Sequence, residues 1–309
     1  MSSQTAIVFP GQGSQSVGML TDIAAIHPEV KATFDEASSA LSYDLWQLVQ
    51  SGPAEKLDMT MYTQPALLAA SYAIWRILRK NQVTNPVMMA GHSLGEYTAL
   101  VCANAIDYAD ALRLVAARGQ FMQEAVLPGV GAMAAIIGLE NQAVANLCKE
   151  VALNNEVLTP ANFNSIGQVV IAGHKEAVLR ALPLAKERGA KMAVLIPVSV
   201  PSHCALMREA AERLAEILVT TKMRTPEITV LSNVDVTAYN TTESIRDGLV
   251  RQLSMPVRWV DTIQAFSNAG VTQIIECGPG KVLSGLIKRI DKNIQIIAAS
   301  DVANLALLS

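Results

Sequence analysis

The 309-residue chain is long enough to bury about three quarters of its unfolded surface in one large domain with a smaller one inserted. Apolar residues at 51% and charged residues at 17% exclude a disordered chain. A net charge of −3 excludes overall electrostatic attraction to nucleic acid or to an anionic membrane.

Residues 5–9 read as a short buried strand that runs into the loop Pro10-Gly11-Gln12-Gly13-Ser14-Gln15. Helical spacing follows over residues 65–78. The apolar run 87–90 then meets Gly91, and helical composition resumes from Glu96, giving a strand–turn–helix unit. In the helix opened by Asp107, Ala111, Val115, Met122 and Ala125 form an apolar stripe, and Arg118 falls on it. Arg113, Gln120 and Glu124 take the opposite, solvated face. Arg118 is therefore expected to point inward.

From Gly131 the character changes. Strands are expected at 132–137, 157–163, 168–172 and 192–198, with helices at 142–151 and 176–188. This βαββαβ order is the split pattern of a ferredoxin-like unit. Residues 129–198 are expected to form an inserted ferredoxin-like subdomain. Residues 1–128 and 199–309 are expected to form the catalytic core. Further buried strands at 228–232 and 273–276 end in Asn233-Val234-Asp235 and Gly278-Pro279-Gly280. The fold class is thus α/β: an α/β-hydrolase-like core with a mostly parallel sheet, plus the insertion. In such sheets ligands bind where the strands end.

Cys102, Cys148, Cys204 and Cys277 form no CxxC pair, and with only four histidines no metal-ligand spacing is present. Neither a metal nor a cofactor is expected. Residues 1–9 lack the basic start and apolar run of a signal peptide, and the longest uncharged stretches are short for a membrane span. A reduced, cytoplasmic protein that engages neither membrane nor nucleic acid is expected. An acidic partner would have to meet local basic clusters, either Lys186, Arg188 and Lys191 or Lys288, Arg289 and Lys292. Solvated charges on helix ends are the favoured reading of the same residues.

Gly91-His92-Ser93-Leu94-Gly95 matches G-x-S-x-G at a strand-to-helix turn. A serine on so tight a turn exposes its hydroxyl, and flanking glycines let strand and helix close up. The backbone N–H of Leu94 would then point toward an oxyanion formed beside Ser93. The Gly11–Gly13 loop lacks the Gly-Lys-Ser/Thr ending of a P-loop, and Ser16 stands where a dinucleotide fingerprint needs its third glycine. It is either a plain turn or a loop that brings a second oxyanion donor, the N–H of Gln12.

A serine hydroxyl needs a base. His27 sits beside a proline in a polar loop, His174 in a surface turn, and His92 in the turn itself with its side chain directed away. By elimination the base is His203, in Val200-Pro201-Ser202-His203, with no acidic residue in an obvious orienting position. A dyad steered by a backbone carbonyl is expected in place of a Ser-His-Asp triad. An inward guanidinium needs an anion. For Arg118, spacing alone favours a structural salt bridge over a ligand carboxylate.

The combination Phe9-Pro-Gly-Gln-Gly-Ser-Gln15, Thr63-Gln64-Pro65-Ala66, Gly91-His-Ser-Leu-Gly-Glu-Tyr97, Arg118-Gly119 and Pro201-Ser-His203 closely resembles the bacterial malonyl-CoA:acyl-carrier-protein transacylases, an acyltransferase family. The resemblance runs through the closing Val257-Arg258-Trp259 and Gly278-Pro-Gly-Lys281 segments. It implies that Ser93 takes a malonyl group from malonyl-CoA, with His203 as base. The phosphopantetheine thiol of acyl carrier protein then removes it, in fatty acid biosynthesis.

The resemblance further implies Gln12 and Leu94 as oxyanion donors, Arg118 as receiver of the malonyl carboxylate, and Gln64 as pocket support. It implies Gln252 as the residue whose carbonyl orients the histidine, and Asn162 and Asn164 as cleft-lining residues. Ser202, small where polyketide relatives often carry a bulky aromatic, resembles the free-standing bacterial enzymes. A stand-alone polyketide acyltransferase, a hydrolase of carboxylated thioesters and a non-catalytic carrier-binding subunit are the alternatives.

Overall fold

The computed structural model describes residues 4–81, 85–198 and 200–308. Ser199, where the second core segment is expected to open, lies outside them. Nine strands occur among the described residues: β1 (Gln4–Phe9), β2 (Met88–Gly91), β3 (Gly131–Ile137), β4 (Leu158–Ser165), β5 (Gln168–His174), β6 (Met192–Ile196), β7 (Thr229–Val230), β8 (Val271–Glu276) and β9 (Gln295–Ala298). They form two sheets.

The first sheet has the order β7-β2-β1-β8-β9, and every pairing in it is parallel. Parallel strands covered on both faces must be apolar on both faces. Ala6, Ile7, Val8 and Phe9 of the central strand β1 are accordingly all buried. Its odd-numbered side chains, Ile7 and Phe9, join the core beneath the helices Thr60–Lys80 and Tyr108–Glu124. Its even-numbered ones, Ala6 and Val8, join Trp259, Ile263 and Phe266 on the other face. The register pairs Phe9 with Gly91 and Val8 with Glu276, so the loops after β1, β2 and β8 leave the sheet along one edge.

The second sheet is antiparallel with the order β4-β5-β3-β6. Its connectivity is the ferredoxin-like one. Alternation along the strands sorts its faces. Ala134, Ile136, Val169 and Ile171 pack under the helices Asn141–Val151 and Lys175–Glu187, while Met133, Val170 and Ala172 form a smaller cluster with Cys204. Strand β4 runs to Ser165, beyond the expected end at 163, with register shifts between Pro160 and Asn162 and between Phe163 and Ser165. Between those shifts, Phe163 N–H donates to the Val257 carbonyl and Val257 N–H to the Ala161 carbonyl, at 2.9 Å each. These bonds tie β4 to the body that carries the first sheet.

Three further elements depart from the sequence reading in ways that have a physical reason. The helix expected to open at Pro65 opens at Thr60 and keeps Pro65 inside it. Its first turn is held by side chains, Thr63 Oγ1 donating to the Leu57 carbonyl and the Gln123 amide oxygen accepting the Met61 N–H. Strand β7 is two residues long; Leu231 after it still donates its N–H to the Met89 carbonyl of β2 while also bridging Ala238. Strand β9 has no counterpart in the sequence reading; it is a short edge strand, so its apolar residues are only half-buried. The helix at Arg118 is largely as expected: Ala111, Val115, Arg118 and Met122 are buried and Arg113, Gln120 and Glu124 are exposed, while Ala125 stands at the C-cap and is half-buried.

The end of β8 also fixes a helix. The buried Glu276 carboxylate accepts the N–H groups of Leu283 and Ser284 and the Ser284 hydroxyl, capping the helix Val282–Ile290. Replacing Glu276 by Ala would leave two helix N-terminal donors without a buried acceptor. We expect a loss of about 1–3 kcal/mol in urea unfolding, with the slope of the transition unchanged.

Candidate active site

The elbow after β2 is shaped by close approach. A Cβ at Gly91 would lie 1.8 Å from the Gly95 carbonyl carbon, and one at Gly95 would lie 2.1 Å from the Phe9 carbonyl oxygen. Only glycine at both positions lets β2, β1 and the helix Gly95–Cys102 meet. Between them Ser93 is held at φ +52°, the left-handed region that costs a non-glycine residue energy and is a mark of functional strain. Asn233, at the end of β7, secures the turn. Its Oδ1 accepts the Ser93 N–H at 2.8 Å and its Nδ2 donates to the Gly91 carbonyl at 2.6 Å.

His203 reaches this serine from the far end of the chain. Its Nε2 lies 2.8 Å from Ser93 Oγ, and its Nδ1 lies 2.7 Å from the main-chain carbonyl oxygen of Gln252. A carbonyl can only accept, so the proton sits on Nδ1, and Nε2 is left as the acceptor for the serine hydroxyl. The backbone of His203 is also left-handed, at φ +61°, and its N–H donates to the Leu253 carbonyl. Burial, reinforced by the nearby Arg118 charge, pushes the imidazole down to about 3, so the ring is neutral at physiological pH.

Arg118 is 1% exposed. Its Nη2 donates to Gln252 Oε1 at 2.9 Å and lies 3.3 Å from Ser93 Oγ, while the guanidinium sits 5.3 Å from the centre of the Tyr97 ring. Among the described residues it forms no ion pair, and its Nε has no partner. The structural salt bridge that spacing favoured is absent because the nearest carboxylate, Glu96, is engaged elsewhere. Glu96 accepts bonds from the Tyr239 hydroxyl, the Asn233 N–H and Gln252 Nε2. Burial raises the Glu96 carboxyl to about 7, against the pull of those bonds.

The remaining sequence candidates gather around one cleft of about 410 Å³. Gln12, Leu94, Gln64, Asn162 and Asn164 all line it, with Ser93, Arg118, Ser202 and His203. Among the described residues, neither the Gln12 N–H nor the Leu94 N–H has a protein acceptor. Gln64 is buried with its amide nitrogen 3.5 Å from Met122 Sδ and its Oε1 unpartnered. Asn164 accepts a bond from His92 Nε2 at 2.8 Å, so His92 does turn away from the serine, as the turn geometry requires. Asn162 is 6% exposed.

His174 is occupied by the Val157 N–H. The guanidinium of Arg188 pairs with Glu150 and that of Arg289 with the Gln168 amide oxygen, away from the cleft. No group of three metal-ligating side chains occurs among the described residues. The sequence reading missed Asn233, Glu96 and Tyr239. Glu96 lies inside the quoted Gly-His-Ser-Leu-Gly-Glu segment, and Asn233 in the turn after a predicted strand, so position alone could have drawn attention to both.

A strained serine at a strand-to-helix elbow, bonded to a neutral histidine and set at the edge of a parallel sheet, defines a serine acyl-transfer site on an α/β fold. The chain belongs to the acyl transferase domain family, which it matches over residues 6–308. It is 58% identical to the malonyl CoA-acyl carrier protein transacylase of Escherichia coli (strain K12), over 93% of each chain. Among solved structures it superposes on an acyl carrier protein S-malonyltransferase from Vibrio cholerae with a TM-score of 0.97 and 56% identity, covering 99% of this chain and 100% of that one. It superposes equally well, at 54% identity and 99% coverage of both chains, on a malonyl-transacylase in complex with its type II PKS acyl-carrier protein.

The histidine sets the pH response. Its base form persists until pH falls toward about 3, so the acid limb that His203 itself imposes on Ser93 acylation, separate from any set by the Glu96 carboxyl, is expected far below the free-imidazole value of 6.5. In the same interval the unfolded chain binds a proton that the native state refuses, so native stability is expected to fall as pH drops from 6.5 toward 3. A pH–rate profile of single-turnover acylation, read beside acid-unfolding curves of the wild type and His203→Gln, checks both.

Proposed function

We propose that this chain moves a malonyl group from coenzyme A to the phosphopantetheine thiol of acyl carrier protein, through a malonyl ester on Ser93, in fatty acid biosynthesis. The observation that carries the reading is the buried, unpaired guanidinium of Arg118 beside the serine. A thioester whose acyl group ends in a carboxylate brings the missing anion to that position.

In the first half-reaction Ser93 Oγ attacks the thioester carbonyl while its proton passes to His203 Nε2. The N–H groups of Gln12 and Leu94 receive the oxyanion, each such donor contributing roughly 3–4 kcal/mol to the transition state. Collapse breaks the C–S bond, and the departing sulfur takes the proton back from Nε2. In the second half the phosphopantetheine thiol gives its proton to Nε2 and attacks the ester. Ser93 Oγ then leaves and recovers that proton. The Gln252 carbonyl holds the imidazole in one tautomer throughout. A carboxylate on Arg118 would offset the positive charge that otherwise opposes an imidazolium at His203.

Gln64 supports the pocket wall, and Asn162 and Asn164 line it from β4, which residues 129–198 contribute as an inserted subdomain on a core of 1–128 and 199–309. Four free, buried cysteines and the lack of any described helix long and apolar enough to cross a membrane support a cytoplasmic setting.

Brief exposure to malonyl-CoA should add one malonyl mass to the intact protein, absent in Ser93→Ala and discharged by holo acyl carrier protein. Free malonate as the main product in the presence of carrier would favour a hydrolase instead. Arg118→Ala should lower kcat/KM for malonyl-CoA by about 100-fold or more relative to its effect on acetyl-CoA, which offers no carboxylate. Steady-state kinetics with the two thioesters measures that ratio, and an equal loss for both would assign Arg118 a purely structural role.

A further inference from the structure

Arg118 poses an electrostatic question that its role as carboxylate receiver leaves open. Before substrate arrives, a guanidinium 1% exposed has no ion-pair partner among the described residues, and such a charge is not tolerated uncompensated. A direct carboxylate partner would solve this by occupying the edge that a ligand needs.

The compensation is indirect. Glu96, fully buried on the helix Gly95–Cys102, places one oxygen on the Tyr239 hydroxyl and the Asn233 N–H. Its other oxygen accepts from Gln252 Nε2. The same Nε2 donates its second proton to the Ser93 carbonyl at 3.0 Å. Both amide protons of Gln252 are therefore committed, and its Oε1 can face only the guanidinium, 2.9 Å from Arg118 Nη2. Carboxylate, amide and guanidinium thus form a chain in which each link polarises the next. Nη2 gives its two N–H groups to Gln252 Oε1 and Ser93 Oγ, and the Nε N–H has no partner among the described residues.

We propose that Glu96 is a positioning residue: acting through the Gln252 amide, it compensates the buried Arg118 charge while leaving the guanidinium open to the substrate carboxylate. The inference rests on the reading of Arg118 given above. It explains why an amide stands between two opposite charges that could have met directly. It also explains why Glu96 must be ionised and cannot be an amide. In Glu96→Gln either the new NH2 faces Gln252 Nε2, donor against donor, or it faces the Asn233 N–H. The first arrangement turns the Gln252 amide over and presents its NH2 to Arg118.

The test compares Glu96→Gln, Gln252→Met, the double variant and Arg118→Ala, with malonyl-CoA and acetyl-CoA, at about pH 8, where the Glu96 carboxyl is ionised in the wild type. The readout is the malonyl-to-acetyl ratio of kcat/KM, which cancels any loss of folded enzyme. Glu96→Gln and Gln252→Met should each lower the ratio by about tenfold, chiefly through the KM for malonyl-CoA, and the double variant should lower it no further.

A ratio unchanged in Glu96→Gln, or losses that multiply in the double variant, would overturn the proposal. Should Glu96→Gln fail to fold, a wild-type ratio in Gln252→Met overturns it by itself. If Arg118→Ala leaves the ratio intact, the carboxylate-receiver reading fails and this inference with it. If Arg118→Ala collapses the ratio and the other variants do not, only this inference fails.

Discussion

The site depends on one hydrogen bond, from His203 Nδ1 to the main-chain carbonyl of Gln252. Because a peptide carbonyl accepts and never donates, it fixes which nitrogen of the imidazole carries the proton, and so which one is free to take the proton of Ser93. A carboxylate partner would do the same and would also stabilise an imidazolium. A neutral carbonyl does not, and with Arg118 nearby the ring is held neutral in the resting protein. The base is therefore weak until negative charge develops beside it. The proposed reaction, which would bring its own carboxylate to Arg118 and form an oxyanion at the Gln12 and Leu94 N–H groups, would supply that charge.

Gln252 links the two halves of this arrangement. Its backbone orients the base and its side chain touches the nucleophile's own carbonyl, Glu96 and Arg118. The helix Thr242–Gln252 ends there, and the same segment supplies the Leu253 carbonyl that receives the His203 N–H. Strain at Ser93 and His203 is thus balanced by a small buried hydrogen-bond network, in which a missing partner would be costly. Asn233 closes the network from the other side by holding the elbow on both its N–H and its carbonyl.

The sequence was informative where local rules act. Gly91-x-x-x-Gly95 around Ser93 is legible because the strand–turn–helix needs glycine at both contact points. The inward direction of Arg118 is legible because helical spacing fixes the face. His203 was reached by elimination among four histidines. Elsewhere the local signal failed. Pro65 reads as a helix start, yet the helix extends back to Thr60, where the amide oxygen of the distant Gln123 accepts the Met61 N–H. The edge strand β9 is half-buried and so lacks the apolar run that marks an interior strand.

The sequence by itself determined the α/β class, the ferredoxin-like order of the 131–196 region, the strand–turn–helix elbow at Ser93 and the membership of an acyltransferase family, because each is written in spacing over a few residues. Only the tertiary structure decided what compensates Arg118. Spacing pointed to a salt bridge. Instead the helix after β2 and the helix ending at Gln252, 156 positions apart between Glu96 and Gln252, pack so that an amide stands between the charges. No local pattern encodes that, because hydrogen-bond partners of a buried charge are set by which surfaces meet when the core closes.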